Sequence, residues 1–358
     1  MKRLGNVWDV VISIENLRAA FKKAAKGRNY LHQVRRIKRN PDKYLYRIQS
    51  MLRDGTYEVR GYRSKTIYEP KKRTIHALPF YPHRIIHHAV MNVLAPYWES
   101  IFIYDSYACR TGKGQHAGSR RCAQFVRRNK YVLKCDVSKF YHSIPHIGLK
   151  AVLRKKLKDK KLLQLLDIMI DSSALCEGLS SDRGVNIGSL PSQWFGNLYM
   201  HELDTYVKHV LGVKDYLRYC DDFVLFSDDK EQLKVWKVAV QNFVNDRLGL
   251  TLSKCNLFPS THGVDFLGYR HFKGYVLLRK STSKRIAHRM KSIRKQLNNG
   301  VAITKHHVGQ VASALGWLRW ANVYRYKLSI DIQNLWGCIR YEYSKVQRFL
   351  GRKPEFGW

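Results

Sequence analysis

The chain has 358 residues, of which 45% are hydrophobic and 12% aromatic, so it can bury a sizeable core. That composition excludes a disordered basic tail. The 65 Lys and Arg residues against 27 Asp and Glu give a net charge of +38, which repels itself unless a polyanion compensates it. Nucleic acid is the usual polyanion, and a basic surface that only maintains solubility is the alternative.

Cysteine usage and hydropathy exclude two further classes of protein. The seven cysteines are odd in number, scattered, and contain no C-x-x-C pair, which favours reduced thiols over disulfides or structural zinc. No apolar run is long enough to span a membrane, and no apolar leader segment is present at the N-terminus. We therefore expect a cytoplasmic protein without a membrane partner.

Hydrophobic periodicity predicts a mixture of helices and short strands. We expect basic amphipathic helices over 11–53, short strands over 56–78, a helix over 82–100 and a strand over 131–136. Helices over 146–158, 160–171 and 190–211 follow, and then a hairpin over 216–226. The rest of the chain is expected to form a helix from Asp228 or Asp229 to Gly249, a hairpin over 264–278 turning at Lys273-Gly274, and basic helices beyond about 280. Helices combined with antiparallel hairpins indicate an α+β fold and not a doubly wound sheet.

Two long tracts contain bases and no carboxylates. One lies between Asp105 and Asp136, and the other lies between Asp265 and Asp331. Tyr, Trp and His are interleaved with the Lys and Arg residues of both tracts. Lys and Arg side chains neutralise phosphates, and aromatic rings provide surfaces on which nucleobases stack. Their combination is typical of a path for nucleic acid.

Three aspartates stand out in this basic chain. Asp221 and Asp222 lie between two apolar runs, where adjacent carboxylates are costly unless a cation sits between them. A polar hairpin turn is the alternative interpretation. Asp136 ends a second apolar strand, and two neighbouring strands can converge such carboxylates on two divalent ions about 4 Å apart, as phosphoryl transfer requires. We therefore predict a catalytic pair of Mg²⁺ ions, with Mn²⁺ as a possible substitute, at Asp136, Val137, Asp221 and Asp222.

The order of motifs resembles one enzyme family. Tyr219-Cys220-Asp221-Asp222 is similar to the Tyr-x-Asp-Asp box of reverse transcriptases, and 133–141 resembles their first catalytic strand. The resemblance runs from about residue 60 to 280. It implies an RNA-directed DNA polymerase with the shape of a right hand, an antiparallel palm sheet and a basic helical thumb. It assigns 1–130 to an N-terminal extension and fingers, 131–278 to the palm with interleaved fingers segments, and 279–358 to the thumb and C-terminal helices.

One segment of the chain selects a branch of that family. Ile187-Gly-x-x-x-Ser192-Gln193 stands where most members have Gln-Gly-x-x-x-Ser-Pro, and this form resembles the reverse transcriptases of diversity-generating retroelements. That branch implies a bacterial, archaeal or phage gene, a template RNA, an RNA–DNA hybrid, and cDNA with substitutions chiefly at template adenines. It also implies a small basic, oligomeric accessory protein.

Ile187 has a physical argument of its own. A glutamine here can form hydrogen bonds around the incoming base pair, whereas isoleucine offers only shape and burial. A mispaired nucleotide therefore no longer leaves a buried amide unpaired, and discrimination against mispairs falls. A core residue beneath a helix start is the alternative.

For the function of the whole chain, the alternatives are a group II intron-type enzyme, a retron or antiviral reverse transcriptase, and a non-catalytic RNA-binding cofactor.

The resemblance also implies roles for individual residues. Tyr141 lies five residues after Asp136, where the family places a ring beneath the sugar that excludes a 2′-hydroxyl; a packing aromatic is the alternative. Lys254 would protonate the leaving pyrophosphate, or it is a solvated Lys at the end of a short strand. The predicted dNTP residues are Lys71, Arg73, Arg84, Tyr141, Ile187, Gly188 and Gln193. The predicted primer and template residues are Arg110, Lys113, Tyr219, Phe266, Leu267, Gly268, Lys280, Lys284 and Arg285.

Overall fold

The computed structural model of the protein describes residues 3–68 and 73–349. The chain forms two compact units. The first unit contains the N-terminal segment up to Gly114 together with Leu133–Leu225 and Glu231–Asn256. The second unit contains Gln115–Val132, Phe226–Lys230 and the segment from Leu257 onward. Each unit is therefore assembled from three separate stretches of sequence.

The first unit begins with helices, as predicted for 11–53. They are α1 (Trp8–Ile12), α2 (Ile14–Ala25), α3 (His32–Arg39) and α4 (Pro41–Arg53). The side chain of Ser13 caps α2 by accepting a hydrogen bond from the Asn16 amide, which satisfies one free donor of the first turn. Leu17, Leu45 and Ile48 are fully buried. The apolar stripes of these helices therefore supply core, as their periodicity predicts.

Strands β1 (Arg63–Ile67) and β2 (Arg73–Ala77) form an antiparallel pair, which confirms the strands expected over 56–78. A turn at Phe80–Arg84, in which Tyr81 has an extended backbone, leads into α5 (Ile85–Ile101), close to the predicted bounds. Ile85, Ile86, Ala89 and Val90 of α5 are all fully buried. Because these positions recur on one side of the helix, α5 packs as a core helix of the first unit.

The central sheet has four strands in the order β4, β5, β3, β6. The strands are β3 (Tyr131–Val137), β4 (Asp215–Tyr219), β5 (Asp222–Ser227) and β6 (Leu252–Pro259). The predicted strand and hairpin are confirmed. The interpretation of Lys254 as the end of a short strand is wrong, because β6 continues for five residues beyond it.

Helices α7 (Phe140–Ser143), α8 (His146–Lys156), α9 (Lys160–Asp171), α10 (Leu190–Thr205) and α11 (Lys230–Asn242) complete the first unit's ordered elements, together with short helical turns. Helix α10 continues into a π-helical turn to Val210, so the long helix expected over 190–211 is confirmed. Helix α11 starts directly after Asp229, and the chain passes Gly249 at φ +58°. These bounds agree with the predicted start and end.

In the second unit α6 (Gln115–Arg128), a helix that the sequence patterns did not predict, accompanies a three-stranded antiparallel sheet. The strands are β7 (Val264–Phe266), β8 (Tyr269–His271) and β9 (Val276–Leu278). The expected hairpin with its turn at Lys273-Gly274 is confirmed by β8 and β9, whereas its predicted start at Val264 is wrong, because β7 is a separate third strand. A second tight turn forms because Leu267 and Gly268 both adopt positive φ, at +52° and +83°.

The C-terminal part of the second unit is helical, as predicted. Its helices are α12 (Lys280–Asn298), α13 (Lys305–Leu318), α14 (Tyr324–Ser329) and α15 (Ile332–Phe349). Ile286, Met290, Val311 and Ile339 belong to their common core. With its antiparallel sheets and separate helices, the protein has the predicted α+β fold. Among residues 3–68 and 73–349, no helix is both long and apolar enough to cross a membrane.

Truncation of a core residue tests this packing. Ile86 is fully buried, whereas Ile147 is 83% exposed. We expect Ile86→Ala to lower the free energy of unfolding by about 2–5 kcal/mol, because it leaves a cavity. The matched control Ile147→Ala should change it by about 0.5 kcal/mol or less. Urea denaturation of both variants checks the prediction, and equal effects would contradict the assignment of α5 to the core.

Candidate functional site

Two of the predicted catalytic carboxylates lie at one turn of the central sheet, and the third lies on a neighbouring strand. Cys220 and Asp221 connect β4 to β5, and Asp222 is the first residue of β5. Strand β3 is the neighbour of β5, and the Val137 amide donates to the Asp221 carbonyl at 3.3 Å. The structure therefore places Asp136, at the end of β3, next to the Asp221-Asp222 pair.

Burial and the repulsion of neighbouring charges make Asp221 and Asp222 hard to ionise. Burial raises the pKa of Asp221, and the negative charge of Asp136 raises it further. Burial also raises the pKa of Asp222 to about 7; the charge of Lys134 opposes this, and Asp136 and Asp221 add to it. An additional cation would relieve both the desolvation and the repulsion.

Lys134 and Ser253 hold two of the carboxylates in place. Lys134 Nζ lies 3.5 Å from Asp222 Oδ2, and Ser253 Oγ donates to Asp136 Oδ2 at 2.8 Å. The sequence interpretation missed both contacts. Alternation along β3 puts Lys134 on the same face as Asp136, and this period of two was the available signal for the lysine. Ser253 comes from β6, a strand that is distant in sequence.

The donor chemistry fits a hard divalent cation, since carboxylate oxygens are the ligands that Mg²⁺ prefers. Asp222 Oδ1 is buried and has no hydrogen-bond partner among the described residues. Within the same part of the chain, no three His, Cys, Asp or Glu side chains are arranged as a ready-made metal site. The aspartates therefore supply suitable oxygens without forming a closed cage.

Tyr141 lies beside the carboxylate turn. Its hydroxyl is 3.2 Å from the Cys220 sulfur. Burial raises its pKa, so the side chain stays a neutral phenol. Gly196 of α10 makes room for this ring: a Cβ there would lie 3.2 Å from Tyr141 and 3.0 Å from Phe140. Phe140 is buried, whereas Tyr141 keeps part of its surface exposed.

The Ile187-Gly188 segment rests on β2. The His76 amide donates to the Ile187 carbonyl at 2.9 Å. Gly188 has φ +132°, and a Cβ there would lie 2.8 Å from the His76 carbonyl oxygen, so no larger residue fits without moving the strand. The side chain of Ile187 is half-buried and that of Gln193 is exposed.

The predicted phosphate-binding residues separate into different environments. Arg73 is close enough to the carboxylates for its charge to lower the pKa of Asp221. Lys71 lies outside the described residues. Arg84 precedes α5, where burial and the charge of Arg28 lower its pKa, so it lies in a basic environment. The exposed Lys254 follows Ser253 on β6.

The predicted nucleic-acid contacts of the first unit also differ from one another. Arg110 is used inside the protein: Nε lies 2.8 Å from Glu99, and Nη1 donates to the carbonyls of Ile103 and Ser106. Lys113 Nζ sits 3.4 Å from the centre of the Tyr104 ring, a cation–π contact. Half-buried Tyr219 ends β4. The structure thus gives Arg110 an internal role that the sequence did not indicate.

In the second unit, Leu267 and Gly268 form the turn between β7 and β8, and Phe266 is fully buried. A Cβ on Gly268 would lie 2.6 Å from the Trp317 ring, so the turn packs tightly on α13. On α12, Lys280 and Lys284 are exposed and Arg285 is half-buried. These bases belong to the acid-free tract described above.

The chain is similar to one family of known proteins. Residues 64–271, more than half of the chain, match the family model described as reverse transcriptase (RNA-dependent DNA polymerase). Among curated proteins, the chain is 24% identical to Protein YkfC of Escherichia coli, over 58% of this chain and 66% of that protein. It is 26% identical to the group II intron-encoded protein LtrA of Lactococcus lactis, over 45% of this chain and 27% of that protein.

The chain thus spans from about a quarter to just under two thirds of the length of these two relatives. Among solved structures, it is similar to telomerase from Candida tropicalis in complex with a fragment of telomeric RNA. That similarity has a TM-score of 0.49 and 12% identity, and it covers 81% of this chain and 55% of the telomerase chain.

The buried Asp222 carboxyl predicts a pH-dependent stability. Its pKa rises from 3.8 to about 7 on folding, so ionisation destabilises the fold as the pH rises from about 4 to 7. In metal-free protein, Asp222→Asn should therefore be more stable than wild type above pH 7, by a few kcal/mol. The difference should vanish towards pH 4. Thermal unfolding in EDTA between pH 4 and 8 measures it, with the exposed Asp9→Asn as control; a less stable Asn variant at pH 8 would contradict the prediction.

Proposed function

Because the chain belongs to the reverse transcriptase family, we propose that it is an RNA-directed DNA polymerase with its catalytic centre at Asp136, Asp221 and Asp222. Asp136 and Asp221 would supply the principal carboxylate oxygens to two Mg²⁺ ions, with the Val137 main chain beside them and Asp222 in an outer position. The observation that carries the proposal is that Asp136 on β3 lies close enough to the turn with Asp221 and Asp222 for its charge to raise the pKa values of both.

The chemistry follows from the residues around that turn. Bound divalent ions would acidify the primer 3′-hydroxyl and neutralise charge on the triphosphate. Ser253 orients Asp136 through its hydrogen bond, and Lys134 restrains Asp222. Arg73 is the described base that we assign to the triphosphate, because its positive charge acts at Asp221. Lys254 is proposed to protonate the leaving pyrophosphate.

The neighbouring residues select and hold the substrates. Tyr141, next to Cys220, is proposed to lie beneath the sugar and to exclude a 2′-hydroxyl. We propose that the fingers, palm and thumb comprise 1–130, 131–278 and 279–358. The exposed bases Lys280 and Lys284 would bind the backbone of the RNA–DNA hybrid and read its shape instead of its sequence.

We further propose that the polymerase belongs to a diversity-generating retroelement and makes adenine-mutagenic cDNA from its template RNA. The support is the Ile187 to Gln193 segment. The Ile187 carbonyl accepts a hydrogen bond from β2, and its half-buried side chain offers only apolar surface. A small basic accessory protein would complete the particle. A group II intron-type function is the second candidate, which the similarity to LtrA favours.

Removal of a principal ligand tests the polymerase. We expect Asp221→Ala to abolish dNTP incorporation on a primed RNA template in Mg²⁺, because no other group replaces its carboxylate. RNA affinity should remain unchanged, since the basic surfaces are intact. Primer extension and filter binding measure the two properties. The control is Asp229→Ala, which removes an exposed aspartate beyond the end of β5 and should retain activity. Loss of RNA binding or folding in Asp221→Ala would refute the catalytic assignment.

Sequencing of the cDNA tests the branch. Wild type should misincorporate chiefly at template adenines, and Ile187→Gln should reduce those errors by up to about tenfold, because one restored hydrogen bond is worth about 0.5–1.5 kcal/mol. Ile147→Gln, the same change at an exposed position, should leave the error spectrum unaltered. Errors spread evenly over the four template bases would refute the retroelement assignment and leave the polymerase intact.

A further inference from the structure

A fully buried ion pair lies next to the catalytic turn. Arg218 of β4 and Asp204 of α10 both have side chains that are 0% exposed. Arg218 Nε donates to Asp204 Oδ1 at 2.7 Å, and Nη2 donates to Oδ2 at 2.6 Å. Tyr216 adds a hydrogen bond to Asp204 Oδ1 at 2.7 Å. Such a pair is costly to desolvate, and an apolar replacement is often equally stable, so stability alone does not account for it.

The remaining donors of Arg218 are also used. Nη1 donates to Asn197 Oδ1 at 3.1 Å, and Nη2 donates to Ser106 Oγ at 3.3 Å. Nη1 also donates to the carbonyl oxygen of Cys220 at 3.0 Å. The planar guanidinium thereby connects α10 and the segment at Ser106 to the turn that precedes Asp221.

The bond to Cys220 matters because of the backbone at that residue. Cys220 has φ +60°, in the left-handed region that is unfavourable for a residue with a side chain. Its carbonyl belongs to the peptide plane that leads into Asp221. Fixing that carbonyl therefore fixes the direction in which the Asp221 side chain leaves the turn.

We propose that Arg218, held by Asp204, is a positioning residue that orients the Asp221 carboxylate for divalent-metal binding. The inference rests on the proposed polymerase function and extends it from the ligands to their support. A guanidinium is required, because it binds Asp204 with two parallel hydrogen bonds and still reaches Cys220. Lysine keeps the charge and has no fixed fork with which to make both contacts.

The test compares Arg218→Lys with Ser106→Ala in the full chain bound to a primed RNA template. Ser106→Ala removes one hydrogen bond of Arg218 and leaves the bond to Cys220 in place. Mn²⁺ affinity, from the EPR signal of free Mn²⁺, should fall about 10–100-fold in Arg218→Lys, as it does when supports of metal ligands are lost. It should stay near wild type in Ser106→Ala. Amide hydrogen exchange at 220–222 should accelerate only in Arg218→Lys.

If Arg218→Lys does not fold, the charge-free double variant Asp204→Leu/Arg218→Met replaces it, and the same loss of Mn²⁺ affinity is expected. Wild-type affinity in either folded Arg218 variant would overturn the proposal. An equal loss in Ser106→Ala would also overturn it, since the effect would then be one of general packing. Failure of the wild-type chain to bind Mn²⁺ or to incorporate dNTPs would instead refute the polymerase itself.

Discussion

The desolvation of neighbouring carboxylates is the constraint around which the first unit is organised. Asp221 and Asp222 are held where burial raises their pKa values, and Asp136 adds repulsion. Neighbouring groups hold the site in place. Lys134 of β3 lies beside Asp222, Ser253 of β6 donates a hydrogen bond to Asp136, and Arg218 donates one to the Cys220 carbonyl at the turn. A fold selected for stability alone would not concentrate like charges in this way. The arrangement is reasonable when the site exists to bind cations.

Much of this organisation was predictable from local patterns. Apolar runs that end in aspartate indicated β3 and the hairpin β4–β5, and helical periodicity predicted α5 and α10 with useful bounds. These features are local, since they depend on residues within a few positions of one another. The order of the motifs then indicated the polymerase, which agrees with the family match over residues 64–271.

The parts that the sequence did not predict depend on contacts between distant segments. An arginine inside an apolar strand gives no sign that its partner is Asp204, fourteen residues earlier, or that Ser106 completes its hydrogen bonds. Helix α6 lies in a tract so rich in bases that charge obscured its apolar face. The turn at Leu267-Gly268 was missed because leucine rarely adopts a positive φ, and the packing of Gly268 on Trp317 decides the local conformation.

The strand order of the central sheet has a consequence for biosynthesis. Strand β3 lies between β5 and β6, so neither of its neighbours exists when it leaves the ribosome. About ninety residues must follow before β5 is available, and about thirty more before β6. During that interval an apolar strand with two unpaired edges is exposed to aggregation. The nascent chain is therefore most in need of a chaperone before synthesis reaches Pro259.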